Sequence, residues 1–167
     1  MKLPLTKLFG ENISIDSETF EKEVNSILGN PVEISKVSLE EIKSRMTTYR
    51  QMLEGKLLDT VLLETILKEM IAISLSYVHH SDPYSYLRDT LIRKNADYGN
   101  SSIRNGGNVG NYVRLSDKVS RIQNLANKVN CNYESLEDTW LDLAGYATIG
   151  IIITRLTVCV SKQENLD

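Results

Sequence analysis

Cysteine is scarce in this sequence, with Cys131 and Cys159 the two present among 167 residues. So few cysteines exclude a disulfide-stabilised scaffold, and neither has a partner at the spacing of a metal site. Because free thiols are typical of a reducing compartment, we expect a cytoplasmic location.

An excess of charge of one sign is also missing. The formal net charge is −3 and 41% of the residues are hydrophobic, which excludes disorder as a description of the whole chain. A general nucleic-acid binder would show a basic excess, so no nucleic acid is expected as a partner. The longest apolar stretch, Ala147 to Val160, is interrupted by Thr148, Thr154 and Arg155. It falls short of the roughly 20 residues of a membrane span, so no membrane is expected either.

Alternation with a period of two, the mark of a half-buried strand, is not sustained anywhere. Apolar residues recur instead at helical spacing, so the sequence predicts an all-α fold, a helical bundle of about five to six helices. Asp16, Ser38 and Asp82 are predicted to cap helices at their N-termini. The predicted helices are 18–28, 38–54, 57–78, 83 to about 95, one containing residues 113–129, and a last one from near Tyr133 to about Val160.

A weak boundary is predicted where His79 to Pro83 interrupt the helical pattern. Residues 1–80 would form an N-terminal helical layer for packing or oligomer contact, and residues 81–167 would form a nucleotide-binding helical region that carries the motifs. We expect both parts to belong to one compact domain. The last predicted helix is apolar on nearly all sides. Such a helix lies at the centre of a bundle or in an oligomer contact, and we expect a homo-oligomer.

Charge is unevenly distributed in the C-terminal half. Residues 85–130 hold eight bases and three acids, whereas residues 131–145 hold four acids and no base. A basic segment followed by an acidic one suits a phosphate bound together with a divalent metal. The alternative is that two neighbouring helices pair their charges.

Three of these acids, Glu134, Asp138 and Asp142, are spaced four residues apart and would form one stripe on a helix. Such a stripe is unfavourable for helix stability alone, because like charges at this spacing repel. Converging carboxylates bind Mg²⁺ when the cation also carries substrate phosphates. The stripe therefore predicts a magnesium site, with Asp138 and Asp142 as the catalytic pair. Alternatively, Asp142 is partly buried and receives its partner directly from a base on the preceding helix.

That preceding helix presents Arg114, Lys118 and Arg121 on one face. They are candidates for a phosphate clamp, to which Lys94 and Arg104 would add further positive charge. The alternative is that these bases only form a solvated face.

Within the basic segment of residues 85–130 lies a glycine-rich stretch, predicted as a loop from Asp97 to Asn111 before the last two helices. Its glycines allow backbone N–H groups to approach a phosphate, and flanking tyrosines could stack on a base. The segment is neither a Walker loop nor a dinucleotide fingerprint. Its candidate nucleotide-binding residues are Asp97, Tyr98, Gly99 and Tyr112.

Three ordered blocks of sequence, residues 94–101, 114–121 and 134–147, resemble the nucleotide modification associated domain family of phages, prophages and bacteria. The resemblance covers about residues 85–157. The last block is similar, more distantly, to MazG-like all-α nucleoside triphosphate pyrophosphohydrolases. Those enzymes hold Mg²⁺ with acidic motifs on two helices and cleave between the α and β phosphates. Their second acidic cluster is not evident here; Glu64 and Glu69 could substitute, although Glu64 is well placed to pair with Lys68.

Two functions from different classes follow from these observations. The first is a Mg²⁺-dependent nucleoside phosphate (pyrophospho)hydrolase of phage-type nucleotide metabolism, in which the cation activates a water molecule. The second is a non-catalytic protein that sequesters a nucleotide or cyclic nucleotide immune signal and so counters a bacterial defence. A third and simpler option is a structural helical protein whose charges pair internally.

Overall fold

Six α-helices and one two-stranded antiparallel sheet form the part of the chain that the computed structural model describes, residues 2–4, 14–98, 106–128 and 135–166. The predicted all-α bundle is confirmed. In chain order the elements are β1 (Lys2–Pro4), α1 (Ser17–Leu28), α2 (Leu39–Glu54), β2 (Leu57–Asp59), α3 (Thr60–Leu75), α4 (Pro83–Tyr98), α5 (Gly107–Leu125) and α6 (Leu136–Glu164).

The predicted N-caps of three helices are confirmed. The carboxylate of Asp16 accepts a hydrogen bond from the backbone N–H of Thr19 at 2.7 Å, and the Ser38 hydroxyl accepts one from Glu41 at 3.3 Å. Asp82 accepts from both the backbone N–H of Ser85, at 3.1 Å, and its hydroxyl, at 2.7 Å. These bonds satisfy N–H groups that a helix leaves without an internal partner.

The prediction of one helix over residues 57–78 is wrong at its start. Gly55 ends α2, and Lys56 adopts a left-handed backbone with φ 57° that turns the chain into β2. There Leu58 pairs with Leu3 of β1 and is fully buried, and Asp59 then caps α3. A strand of three residues is too short to show alternation, so it could not be recognised from the pattern of apolar residues.

The predicted loop from Asp97 to Asn111 is wrong at both ends. Helix α4 continues to Tyr98, and α5 begins at Gly107. Gly106, at φ 80°, adopts a left-handed conformation at the N-cap, and a Cβ there would lie 2.9 Å from the Cα of Gly110. The glycines therefore permit a tight start to a helix. Residues 99–105, including Gly99 and Arg104, lie outside the described residues.

Helix α6 forms the centre of the bundle, one of the two places predicted for it, with α3 and α5 along its length and α1 and α4 against further parts of it. It begins at Leu136, capped by the Ser135 hydroxyl, and extends to Glu164 rather than ending near Val160. By length and composition alone α6 could cross a membrane, but 61% of its most apolar stretch is buried inside the fold. The apolar surface that led us to expect an oligomer is thus largely covered within one chain.

A buried polar cluster joins α2, α5 and α6. The Tyr49 hydroxyl donates to the backbone carbonyl of Asn108 at 2.9 Å, and the Asn108 amide donates to the Thr154 hydroxyl at 3.0 Å. The Asn111 amide donates to the carbonyl of Tyr146 at 2.8 Å. Burial raises the pKa of Tyr49 above its ordinary value, so the hydroxyl stays protonated and can donate. Since a buried polar group without a partner is costly, these bonds specify how α5 lies on α6.

Gly150 allows the close approach of α5 to α6. A Cβ at this position would lie 2.5 Å from Oδ1 of Asn111 and 3.1 Å from Cδ1 of Leu67, so α3 is close as well. Gly145, one and a half turns earlier, is different, because a Cβ there would lie 3.4 Å from Cδ2 of Leu91.

The two glycines give a matched test of this packing. We expect Gly150→Ala to lower the free energy of unfolding by about 1–3 kcal/mol, because the methyl group overlaps Asn111. Gly145→Ala should leave stability unchanged or raise it by up to about 1 kcal/mol, since alanine favours the helix. Urea denaturation of both variants measures this, and equal effects at the two positions would contradict the described α5–α6 contact.

Candidate functional site

Lysines from two helices converge on one aspartate where α4, α5 and α6 meet. Nζ of Lys118 on α5 lies 2.8 Å from Oδ2 of Asp142 on α6, and Nζ of Lys94 on α4 lies 3.6 Å from Oδ1. The Lys118 side chain is 12% exposed, that of Asp142 26%, and that of Lys94 57%. We call Lys94, Lys118 and Asp142 the lysine–aspartate cluster; it opens to solvent on the Lys94 side.

The position of the cluster follows from helix packing. Leu115 and Val119 are buried on α5, as are Leu143 and Ala144 on α6. Lys118 precedes Val119 and Asp142 precedes Leu143, so both lie at the edge of the α5–α6 contact. There a charged group can reach the other helix without entering the core. The structure thus brings together a base of the predicted phosphate clamp and a predicted catalytic aspartate. It also shows the alternative drawn from the sequence, in which α5 supplies the partner of Asp142.

The other predicted phosphate-binding residues lie at various distances along α5. Arg114 is half-buried one turn before Lys118, and Arg121 is exposed about one turn after it. Arg104 lies outside the described residues, so its predicted role is untested. Lys94 is the described base that joins Lys118 at Asp142.

The predicted nucleotide-binding residues do not assemble into one described group. Tyr112 packs edge-on against the buried Tyr49, with ring centroids 5.5 Å apart and planes at 72°. Asp97 is exposed in the last turn of α4, and Tyr98 ends that helix. Gly99 is outside the described residues, and base stacking by Tyr98 or Tyr112 stays a prediction.

The predicted magnesium ligands are described in part. Asp138 is exposed in the first turn of α6, where its backbone N–H donates to the Ser135 hydroxyl at 3.0 Å. Glu134 lies outside the described residues. Across residues 14–97, 106–128 and 135–166, no three acidic, histidine or cysteine side chains form a metal-binding group.

Positive charge lies beside both carboxylate oxygens of Asp142. Both carboxylate oxygens already face an ammonium group, and Mg²⁺ binding there would require Lys118 to move away from a site in which it is largely buried. The three-carboxylate magnesium site therefore stays a prediction that depends on Glu134 and on such a rearrangement.

Glu64 and Glu69, the possible second acidic cluster, take part in ion pairs elsewhere. Arg155 of α6 contacts Glu64 at 2.5 Å and Glu23 of α1 at 2.8 Å. Lys68 contacts Glu64 at 3.2 Å, as its spacing predicted, and Arg45 of α2 contacts Glu69 at 2.7 Å. These pairs connect α3 to α2 and α6, and Arg155 also connects α6 to α1.

Sequence reasoning missed the buried polar residues that position α5. Asn108, Asn111, Thr154 and Tyr49 all have 1% exposure or less. The available signal was the pair of asparagines three residues apart, which marks one helix face if the glycine-rich segment is read as helical. Nothing in the spacing connects them to Tyr49, 59 residues away from Asn108.

Comparisons of this chain with protein-family models, with curated proteins and with solved structures find no match.

The ion pairs of Glu64 predict how stability depends on pH. Burial raises the pKa of Glu64, but Arg155 and Lys68 outweigh it and hold the pKa below the ordinary value of 4.5. The stabilisation is therefore present above pH 4.5 and is lost as the pH falls through the lower folded-state pKa. We expect Glu64→Gln to cost about 1–2 kcal/mol at pH 7 and less at pH 3.

The control is Glu54→Gln, which removes an exposed pair with Arg50 at 3.6 Å. It should cost less than about 0.5 kcal/mol at either pH. Chemical denaturation at the two pH values measures both variants. A Glu64→Gln cost that is the same at pH 3 and pH 7 would show that the ion pairs do not stabilise the fold.

Proposed function

We propose that the protein binds the phosphate group of a nucleotide or a related small molecule at the lysine–aspartate cluster. The observation that carries the proposal is the convergence of Lys94 and Lys118, from two different helices, on a single carboxylate. An oxyanion at this junction would meet two ammonium groups, one of which is held in place by burial.

The position of Lys94 supports binding in addition to internal pairing. One lysine is enough to neutralise Asp142, and Lys118 already lies at 2.8 Å from it. Lys94 adds a second positive charge at 3.6 Å, on the side open to solvent. Each of the three sequence blocks that resemble the nucleotide modification associated domain family contributes one residue of the cluster: Lys94, Lys118 and Asp142. This supports a nucleotide as the ligand.

A Mg²⁺-dependent hydrolase is the second candidate, favoured by Asp138. Its exposed carboxylate lies one turn before Asp142 on α6, on the same face of the helix. Asp138, Glu134 and Asp142 would hold the cation, which when bound supplies Lewis-acid activation of phosphate and water. Lys94 and Lys118 would then neutralise phosphate charge. A protein that only sequesters a nucleotide requires the lysines and no bound cation.

Cellular context belongs to the same proposal. The scarcity of cysteine supports a cytoplasmic location, and the family resemblance supports a phage-related role, either in nucleotide metabolism or in sequestering an immune signal. A homo-oligomer also remains part of the proposal, although the described core covers much of α6 within one chain.

Binding is tested by measuring the melting temperature with a panel of nucleoside mono-, di- and triphosphates and cyclic nucleotides, each with and without Mg²⁺. A ligand should raise the melting temperature by several degrees when in large excess over its dissociation constant. Lys94→Met and Lys118→Met should each weaken binding by about tenfold or more, because each removes one charged hydrogen bond to the ligand.

The matched control is Lys43→Met on α2, where the lysine is paired with Glu40. It removes the same charge and should leave affinity unchanged. Lysine variants that bind as well as the unchanged protein would refute the proposed site. Analysis of the nucleotide after incubation separates the two candidates. Released pyrophosphate or monophosphate that disappears in Asp138→Asn indicates a hydrolase, and intact nucleotide indicates a protein that only sequesters it.

A further inference from the structure

Asp142 occupies the position that a ligand anion would take in the lysine–aspartate cluster. Its two oxygens face two different lysines, Oδ2 toward Lys118 and Oδ1 toward Lys94. A phosphoryl group likewise presents neighbouring oxygens, and carboxylates and phosphates are recognised by the same donors in the same geometry.

We infer that Asp142 is a built-in competitor that a ligand must displace from the two lysines, and that the two lysines, once released, bind terminal phosphoryl groups more tightly than phosphodiesters. The inference rests on the proposed function, because it concerns the same site. In this role Asp142 moves away from the bound anion, whereas a metal ligand or a catalytic base would stay in the site.

The selection follows from charge. A terminal phosphate carries a charge of about −1.5 to −2 at neutral pH, whereas a diester carries a single negative charge. Asp142 also carries one negative charge and is already held beside Lys118, a side chain with only 12% exposure. The electrostatic attraction between a monoanion and the two lysines is therefore no stronger than that between Asp142 and the lysines. For a dianion the attraction is nearly twice as strong.

Displacement also has a thermodynamic signature. Breaking the contacts of Asp142 costs the same free energy whichever anion replaces it. Asp142→Asn removes that cost and should strengthen the binding of a dianion and of a monoanion by the same factor, about tenfold or more. If Asp142 instead stayed beside the ligand, its removal would favour the dianion more strongly than the monoanion.

The test uses methyl phosphate and dimethyl phosphate, which differ in charge and carry no base or sugar. Their affinities are measured at pH 7.5 by NMR titration of the backbone amides of Lys118 and Asp142. We expect the unchanged protein to bind methyl phosphate at least about tenfold more tightly than dimethyl phosphate. Asp142→Asn should tighten both by a similar factor.

Asp89→Asn is the control, because it makes the same change of charge at a 59%-exposed carboxylate on α4 that is paired with Arg88. It should alter neither affinity by more than about twofold. If Asp142→Asn does not fold by itself, its refolding is measured with methyl phosphate against sodium chloride of equal ionic strength. Refolding with methyl phosphate but not with sodium chloride supports the inference. Failure to refold with methyl phosphate, or equal refolding with both, overturns it.

Several results would overturn the inference while leaving the proposed function intact. In these, the unchanged protein binds methyl phosphate, but Asp142→Asn binds it no more tightly, or gains more for the dianion than for the monoanion. Equal affinity of the unchanged protein for both anions would overturn the selection of terminal phosphates. If neither the unchanged protein nor Asp142→Asn binds either anion, the inference and the proposed phosphate site both fail.

Discussion

The contact between α5 and α6 at Gly150 determines where the charged residues of this protein lie. Asn111 of α5 occupies the space that a side chain at Gly150 of α6 would fill. Its side-chain amide donates a hydrogen bond to the carbonyl of Tyr146, which also lies on α6. A shift of one helical turn would move the two helices about 5.4 Å past each other and break these bonds inside the core. Lys118 and Asp142 would then no longer meet. The buried polar contacts thus specify the register on which the cluster depends.

The register has a further consequence for the balance between stability and binding. In the absence of a ligand, Asp142 compensates a lysine that is largely removed from water, where an unpaired charge would be costly. The same pairing lowers the positive potential that an anion would experience. A sequence selected only for stability gains little from a second lysine at 3.6 Å from this carboxylate. The stability of the fold alone therefore gives little reason for a lysine at position 94.

Local signals made most of the helices predictable. Asp16, Ser38 and Asp82 cap their helices through side chains three residues before the N–H groups they bind, which any reader of the sequence can recognise. The start of α5 was unpredictable for the opposite reason. Glycines and asparagines favour loops locally, and these residues are helical because their partners, Tyr49 and Thr154, are distant in sequence. Strand β2 similarly depends on β1, which is more than fifty residues away.

The site was predictable to the extent that it lies on regular helices. Helical spacing identified the base-bearing face of α5 and the acidic residues of α6, and it left open whether Lys118 would pair with Asp142. It could not connect Lys94 to that pair, since only the packing of α4 on the bundle brings them together. The two functional hypotheses now make opposite demands on Asp142. A magnesium enzyme requires this carboxylate to leave its lysines and face a cation, whereas the competitor role inferred for Asp142 requires it to leave them without binding another group. Both roles require Asp142 to separate from Lys118. A stronger contact between these two residues therefore weakens the binding of a cation at Asp142 and of an anion at the lysines.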